Sequence, residues 1–318
     1  MIMKHYSVLK NEIIDSLNIK PDGVYVDATL GYAGMSSEIL KRIPQGLLIC
    51  FDQDEEAIKY SKEVLNEIGD NYQIIYSNFV NLKEKLNEIG INKIDGIIFD
   101  LGFSSPQIDE DKRGFSFMSD SYLDMRMDTN NKLDAHYVVN NYSIKELENI
   151  FFMYGDEPSS RKIAKVITDR RKEKDINSTL ELVEIIKIAV GSNYFYKHHP
   201  ERKIFQAIRI EVNKELDVLK RVLPDAINLL NKGGRISVIS FHSKEDKIVK
   251  DIFNEYSKVD ELVKGLPNIP KDYLPTLKII NKKPITASNR ELEENSRSHS
   301  AKLRIGEKIK WVKIMVKN

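Results

Sequence analysis

The sequence has a single cysteine, Cys50, among its 318 residues. One cysteine cannot form an internal disulfide or, alone, a thiolate metal site, which excludes a secreted disulfide scaffold. The sequence also lacks an apolar run near the ~18 residues that a membrane span needs, and its first residues lack the apolar stretch of a signal peptide. We therefore expect a cytoplasmic protein that does not act with a membrane.

The net charge is also close to zero, because the sequence has 49 basic and 48 acidic residues. The sum conceals a gradient along the chain: residues 1–110 contain 10 basic and 18 acidic side chains, whereas residues 281–318 contain 10 and 4. Electrostatic fields are screened beyond about 8 to 10 Å, so a locally basic region can bind phosphate in a chain of little net charge. The gradient is compatible with nucleic-acid binding and equally with an ordinary solvated surface.

Short apolar runs alternate with helical patterns through the first hundred residues. We predict strands at residues 24–27, 47–52, 73–76 and 94–100, with amphipathic helices between them. Strands that are apolar throughout indicate a parallel sheet covered on both faces. After residue 100 the pattern becomes helical, with one predicted helix over 202–223 that Pro224 interrupts. Strands return at residues 235–241, 276–281 and 301–310.

The pattern therefore predicts an α/β fold with an insertion. The expected architecture is a doubly wound, mostly parallel, seven-stranded Rossmann-like sheet with an inserted helical domain. Residues 1–108 and 216–318 form the predicted sheet domain, and residues 109–215 form the predicted insertion.

Acidic and glycine residues follow the first two predicted strands. Asp27 ends the first strand and precedes Gly31 and Gly34, at the place where open α/β sheets bind nucleotide-like ligands. Asp52 ends the second strand, where a carboxylate can accept hydrogen bonds from ribose hydroxyls. The spacing suits a dinucleotide or S-adenosylmethionine, but the Gly-x-Gly-x-x-Gly pattern of dinucleotide sites is absent from residues 29–34. A packed glycine turn without a ligand remains the alternative.

The fourth predicted strand ends in an acidic loop, DLGFSSPQ at residues 100–107. An acid at the carboxyl end of this strand, followed by compact residues and an aromatic, resembles the loop of enzymes that methylate exocyclic amines. Such an amine is a poor nucleophile, and Asp100 can accept its hydrogens and turn the nitrogen lone pair toward a methyl donor. Phe103 can stack on the substrate base. An ordinary strand-to-loop transition is the alternative.

Cysteine and histidine chemistry is weakly supported. Cys50 lies inside an apolar strand, so we predict a core residue and not the nucleophile that carbon methylation of a pyrimidine requires. The six histidines show no helical His-x-x-x-His pair, and we predict no metal site. His242 follows the strand at residues 235–241, where it can cap the next helix, pack in the core or reach the site.

Two basic segments flank the middle of the predicted insertion. The first, residues 161–174, contains seven basic and two acidic side chains. The second, residues 197–203, directly follows three aromatic residues at 194–196. Basic side chains interleaved with aromatics suit a single-stranded or distorted RNA, although a solvated helix face is the alternative. The predicted RNA-binding residues are Arg170, Arg171, Lys172, Lys197, Arg202 and Lys203.

Nine segments together resemble the bacterial ribosomal RNA small-subunit methyltransferase H family. They are HYSVL (5–9), YVDATLG (25–31), DLGFSSPQ (100–107), RGFSF (113–117), LDMRMD (123–128), FQAIRIEVN (205–213), GGRISVISFHS (233–243), KPI (283–285) and SAKLR (300–304). Long segments of this kind are far more specific than glycine spacing, and they extend almost from end to end of the chain.

The resemblance implies S-adenosylmethionine as cofactor and 16S rRNA as substrate, N4-methylated on a cytidine in the decoding centre. Carried over by position, it implies cofactor contacts at Ala33, Gly34, Met35, Asp52, Phe79, Asp100 and Gln107, beside Asp27 and Gly31. The family usually has histidine at Met35 and leucine at Lys244, so a side-chain contact at Met35 is in doubt. The substrate is expected within the small ribosomal subunit, and a homodimer is possible.

Two other classes fit the same residues. A methyltransferase for DNA or for a small amine would share the Asp100 loop. A non-catalytic RNA-binding protein with a degenerate cofactor pocket would account for Met35.

Overall fold

Seven strands form one sheet in the larger of two compact units of the chain. In the computed structural model, which describes residues 7–102, 113–259, 261–270 and 273–309, this unit comprises Met1–Gly102 and Leu216–Asn318, and the other comprises Phe103–Glu215. The strands are β1 (Val24–Asp27), β2 (Leu47–Asp52), β3 (Tyr72–Tyr76), β4 (Ile94–Asp100), β5 (Leu230–Ser240), β6 (Leu277–Ile279) and β7 (Lys302–Lys308). Their order in the sheet is β3-β2-β1-β4-β5-β7-β6.

Six of the seven described strands run in the same direction, and β7 runs antiparallel to them. The first five pair in parallel, while β7 pairs antiparallel with both β5 and β6. Apolar side chains cover both faces of the sheet in two clusters, one with Phe51 and Phe99 and one with Tyr25 and Cys50. The predicted fold class, a doubly wound and mostly parallel seven-stranded sheet, is confirmed.

The sheet unit and the insertion contain thirteen described α-helices. They are α1 (Lys10–Ser16), α2 (Gly34–Arg42), α3 (Glu55–Asn66), α4 (Leu82–Glu88), α5 (Ala135–Asn141), α6 (Ile144–Met153), α7 (Ser160–Arg170), α8 (Thr179–Val190), α9 (Ser192–His198), α10 (Pro200–Asn213), α11 (Glu215–Leu229), α12 (Ser243–Tyr256) and α13 (Asn289–Glu294). Of these, no helix in the described part of the chain is long and apolar enough to cross a membrane.

The insertion has an apolar core of its own. Phe151, Ile186 and Phe205 belong to one cluster of buried side chains that lies wholly within this unit. A capping box lies at the start of α8: Ser178 Oγ accepts from the Glu181 N–H, and the Glu181 carboxylate accepts from the Ser178 N–H. Two orphan backbone donors are satisfied in this way, which fixes where α8 begins.

The predicted break at Pro224 is wrong. The long helix ends at Asn213, and Lys214 takes a left-handed conformation with φ of 52°. A second helix, α11, then continues through Pro224 to Leu229. Proline removes one backbone donor, but buried neighbours such as Leu223 and Ile227 hold this segment helical. Packing therefore overrides the local preference at Pro224.

Candidate active site at the carboxyl edge of the sheet

Three carboxylates lie where three neighbouring strands end. Asp27, Asp52 and Asp100 are the last residues of β1, β2 and β4, as the strand pattern predicted. The strand β1 lies between the other two, with Asp27 in register with Cys50 on one side and Ile98 on the other. Parallel strands end at one edge of the sheet, so the three acids share the place where this kind of fold binds ligands.

Asp27 is the most buried of the three. Its Oδ2 accepts a hydrogen bond from Ser36 Oγ at 2.7 Å, and its Oδ1 accepts from the Thr29 N–H at 3.0 Å. Burial raises the pKa of Asp27 to about 6, while the hydrogen bonds from Ser36 and Thr29 oppose the rise. The carboxylate is therefore held in one orientation by the turn that follows β1.

Asp52 connects the second strand to the glycine turn. Its Oδ2 accepts from the Gly31 N–H at 2.8 Å, and its Oδ1 accepts from the N–H groups of Gln53 and Asp54. Burial raises the pKa of Asp52 to about 6 against these donors. A carboxylate offers about four acceptor positions, so three intramolecular bonds leave room for about one more donor.

Asp100 differs from the other two because one of its oxygens is enclosed and without a partner. No described residue donates a hydrogen bond to Oδ1 of Asp100. Burial and the nearby charges of Asp27 and Glu245 raise the pKa of Asp100 to about 8. An enclosed carboxylate beside two other acids would be stabilised in its charged form by a bound cation or by a hydrogen-bond donor. The site therefore favours a ligand that brings positive charge and N–H or O–H groups.

The turn after β1 shapes the rest of this edge. Gly31 and Ala33 both have left-handed backbones, with φ of 48° and 60°. A Cβ on Gly34 would lie 2.1 Å from Ser7 Oγ, so the glycine leaves room for the Ser7 hydroxyl against the turn. The side chain of Met35 is buried in the core cluster that contains Tyr25, and this placement supports a packing role for it.

Phe79 lies in a single 3₁₀ turn at residues 79–81, after β3. Its ring contacts the ring of Phe99 edge-on, with centroids 5.6 Å apart. Phe99 is the residue before Asp100 on β4, so Phe79 packs next to the strand that carries the unpartnered carboxylate. The predicted residues Phe103 and Gln107 lie outside the described part of the chain, and their roles stay predictions.

Cys50 is a core residue, and His242 caps a helix. Cys50 is buried inside β2, 3.3 Å from Ser36 Oγ, and burial raises its thiol pKa well above the usual value. A thiol held protonated is a poor nucleophile, in agreement with the predicted core role. His242 is the N-cap of α12, with Nδ1 accepting from the Glu245 N–H, so its capping role is confirmed.

Three polar residues of this edge were not indicated by the sequence pattern. Thr29 Oγ1 accepts from the Asp100 N–H at 2.7 Å, and Ser61 Oγ donates to the Gly31 carbonyl at 2.7 Å. Glu245 accepts from the Phe241 N–H at 2.9 Å and contributes to the charge around Asp100. The pattern His242-x-x-Glu245 signals a cap and could have indicated Glu245. Ser61 carries no such signal, because only the packing of α3 brings it to Gly31.

The predicted RNA-binding residues fall into two groups. Arg170, Lys172, Lys197 and Arg202 are exposed. Arg171 instead donates to the carbonyls of Val139 and Tyr142, and Lys203 pairs with the buried carboxylate of Glu157 at 3.3 Å. The charges of Arg171 and Lys203 are engaged within their own unit. In the exposed group Lys172 pairs with Asp169 at 2.8 Å, but both side chains lie in solvent, where such a pair is weak, so the exposed group is the better placed for a phosphate.

Comparison with known proteins identifies the family. The model of the MraW methylase family matches residues 2–309. A curated relative from Finegoldia magna is 52% identical over 311 residues, covering 97% of this chain and 100% of its own. A second from Lactobacillus gasseri is 53% identical over 317 residues with the same coverage. Both relatives are named ribosomal RNA small subunit methyltransferase H.

Solved structures were also similar over most of the chain. One is a putative rRNA methylase from Clostridium thermocellum, 11% identical with a TM-score of 0.45, covering 96% of this chain and 99% of its own. Another is a putative methyltransferase from Streptococcus mutans in complex with SAH, 12% identical with a TM-score of 0.42, covering 95% and 98%.

The fold and its acidic strand ends define a Rossmann-like α/β protein with a candidate ligand site at the carboxyl edge of its sheet. This chain belongs to the MraW methylase family, and the resemblance found in its sequence segments is confirmed.

Proposed function

We propose that the protein transfers a methyl group from S-adenosylmethionine to the exocyclic N4 of a cytidine in the decoding centre of 16S rRNA. The observation that carries this proposal is the enclosed, unpartnered Oδ1 of Asp100 beside two further acids. An amine substrate brings N–H donors and a sulfonium cofactor brings a positive charge, and the carboxylates favour both. The curated relatives named ribosomal RNA small subunit methyltransferase H support rRNA as the substrate.

The residues of this edge suit S-adenosylmethionine. Asp52 has about one acceptor position left, which fits one ribose hydroxyl. The turn from Gly31 to Gly34 lets backbone approach the methionine part, with Asp27 near the positive charge. The cofactor supplies an activated methyl group on a cationic sulfur, so the protein needs no nucleophile of its own.

Asp100 acts on the substrate amine in this proposal. Its carboxylate accepts a hydrogen bond from the N4 amine, which turns the nitrogen lone pair toward the methyl donor. The cationic cofactor favours the ionised form of Asp100, and the same carboxylate then takes the proton that the nitrogen loses. Thr29 fixes the Asp100 backbone through its 2.7 Å hydrogen bond. Position and orientation then supply most of the rate.

The inserted unit recognises RNA in this proposal. The exposed residues Arg170, Lys172, Lys197 and Arg202 contact phosphates, which position a strand without reading its sequence. The target base leaves its stack to reach Asp100, as base-modifying enzymes require. The assembled small subunit as substrate and a homodimer both stay predictions.

A substrate panel tests the proposal. The purified protein is incubated with radiolabelled S-adenosylmethionine and, separately, with small ribosomal subunits, naked 16S rRNA, duplex DNA and free cytidine. We expect label in 16S rRNA, free or within the subunit. Label in DNA or free cytidine alone would indicate a different amine methyltransferase. Calorimetry that detects no S-adenosylmethionine binding would indicate a non-catalytic RNA-binding protein.

A further inference from the structure

A groove runs along the far edge of the sheet, between α12 and β6. It has a volume of about 640 Å³, and its apolar floor includes Phe253, Leu277 and Ile279. This groove belongs wholly to the sheet unit and shares no residue with the carboxyl edge described above. The sequence pattern indicated only that residues 281–318, which supply Lys282 and Arg304 to the groove, are basic.

Four cations and no acid line the groove among its described residues. The cations are Lys250, Lys278, Lys282 and Arg304, and the neutral polar residues are Asn254, Ser257 and Asn281. Arg304 is buried and forms a double hydrogen bond with Asp246, at 2.6 and 3.1 Å. The Arg304 charge is therefore neutralised within the protein, and Arg304 is not a candidate phosphate contact.

The three lysines are different from Arg304. Lys250, Lys278 and Lys282 are exposed, and no described residue pairs with any of them. They come from two elements and the loop after β6, so the fold brings them together from separate parts of the sequence. Three unpaired ammonium groups over an apolar floor favour an occupant that carries repeated negative charges and some apolar surface. A nucleic-acid strand, with its phosphates and base faces, has this chemistry.

The groove lies toward the amino ends of the parallel strands, whereas Asp100 lies at their carboxyl ends. The helix α12 starts just after β5, at the carboxyl edge of the sheet, and Asp246, Lys250 and Asn254 follow one another along one side of it. Strands β5 and β7 separate β6 from β4, so at about 4.8 Å per strand the groove lies roughly 14 Å across the sheet from the strand of Asp100. Asp100 is level with Ile239 and Leu303, whereas β6 pairs with Gly306 to Lys308, so the groove is also displaced by about 10 to 17 Å along the strands. An extended strand of several nucleotides can cover that distance.

We propose that the groove between α12 and β6 binds the phosphate backbone of the rRNA several nucleotides from the target cytidine, with Lys250, Lys278 and Lys282 as the phosphate contacts. This inference rests on the proposed function. It gives the sheet unit an RNA-binding surface of its own, in addition to the exposed basic residues of the insertion.

A triple substitution tests the proposal. Lys250→Gln, Lys278→Gln and Lys282→Gln together are compared with Lys59→Gln, Lys62→Gln and Lys232→Gln, which remove three equally exposed charges elsewhere in the same unit. The affinity for naked 16S rRNA is measured over a range of salt concentrations. Each lost phosphate contact lowers the slope of log affinity against log salt by about 0.7, so the groove variant should lose about 2. The control should keep the wild-type slope.

Three measurements separate the possible outcomes. Calorimetry with S-adenosylmethionine should give the same affinity for both triple variants, and thermal unfolding should show both to be folded. Equal salt slopes for the two variants, with a wild type that methylates rRNA, would overturn the groove and leave the proposed function intact. Weaker binding to small subunits with unchanged binding to naked rRNA would assign the groove to a protein partner and also overturn the proposal. A wild type that does not methylate rRNA would remove the proposed function itself.

Discussion

Thr29 and Asp100 are joined by a hydrogen bond of 2.7 Å, from the Asp100 N–H to Thr29 Oγ1. The bond crosses from the turn after β1 to the end of β4, and the Thr29 N–H also donates to Asp27. One threonine therefore fixes the positions of two of the three carboxylates. In the proposed reaction, Thr29 is a positioning residue that acts through Asp100.

Replacement of Thr29 tests that role. Thr29→Val keeps the shape but removes the acceptor, whereas Thr29→Ser keeps the acceptor. We expect the valine variant to lose about 1 to 2 kcal/mol of transition-state stabilisation, or five- to thirty-fold in kcat, with a smaller change in KM for RNA. The serine variant should recover most of the rate. Equal rates in both variants would show that the hydrogen bond does not position Asp100.

The pKa of Asp100 predicts a pH dependence of cofactor binding. Asp100 is largely protonated below its pKa of about 8, and a cationic ligand favours the ionised carboxylate. The affinity for S-adenosylmethionine should therefore rise about tenfold between pH 6.5 and pH 8 and level off above that. Calorimetry in this pH window avoids most of the titration of Asp27, whose pKa is about 6.

The neutral product S-adenosylhomocysteine provides the matched control. It has the same ribose, base, amino and carboxyl groups but lacks the positive charge on sulfur, so its affinity should change less with pH. In Asp100→Asn the two ligands should show the same pH dependence. A difference between the ligands that persists in this variant would place the cationic sulfur away from Asp100.

Burial of Asp27 predicts a cost in stability at neutral pH. Its folded pKa of about 6 lies above the ordinary value of 3.8, so the folded state binds the proton more tightly than the unfolded chain. The free energy of unfolding should fall as pH rises from about 4 to about 6, and this contribution is constant above that. Asp27→Asn removes it, so the variant should be more stable than wild type by up to about 3 kcal/mol at pH 7.

Urea unfolding of the free protein at pH 4, 5, 6 and 7 measures this difference. Asp70→Asn serves as a control, because Asp70 is exposed. The gain in the Asp27 variant should be accompanied by weaker S-adenosylmethionine binding. A gain that is the same at every pH would mean that ionisation of Asp27 is not its source.

Arg170 and Arg171 are adjacent but should respond differently to substitution. Arg171 donates to two carbonyls at 2.6 and 2.5 Å, so Arg171→Ala should destabilise the insertion by about 2 kcal/mol or more. Arg170 is exposed, so Arg170→Ala should change stability by less than about 0.5 kcal/mol and weaken rRNA binding. Thermal unfolding and an rRNA binding assay separate the two. Equal loss of stability in both variants would contradict this distinction.

The sequence predicted the sheet well because its strands are apolar throughout and end in acids. The bounds of β1, β2 and β4 agree with the predicted ones to the residue. Hydrophobic periodicity reports on burial, and these strands are buried on both faces. The helix break was placed wrongly because proline is a strong local signal, whereas the left-handed Lys214 carries none.

The site was predictable to a more limited extent. Asp27, Asp52 and Asp100 could be predicted because each ends a strand, and strand ends can be located from the local sequence pattern. Thr29 and Ser61 act through hydrogen bonds to residues 71 and 30 positions away, and such pairs depend on tertiary packing. The groove could not be predicted for the same reason, because Lys250, Lys278 and Lys282 are brought together only when β6 joins the sheet.

Identification of the atom that receives the methyl group tests the proposed function most directly. Mass spectrometry of nucleosides from 16S rRNA, methylated by the purified protein, identifies that atom. We expect N4-methylcytidine at one position with the wild-type protein, and none with Asp100→Asn. A methyl group on carbon 5, or full activity in Asp100→Asn, would contradict it.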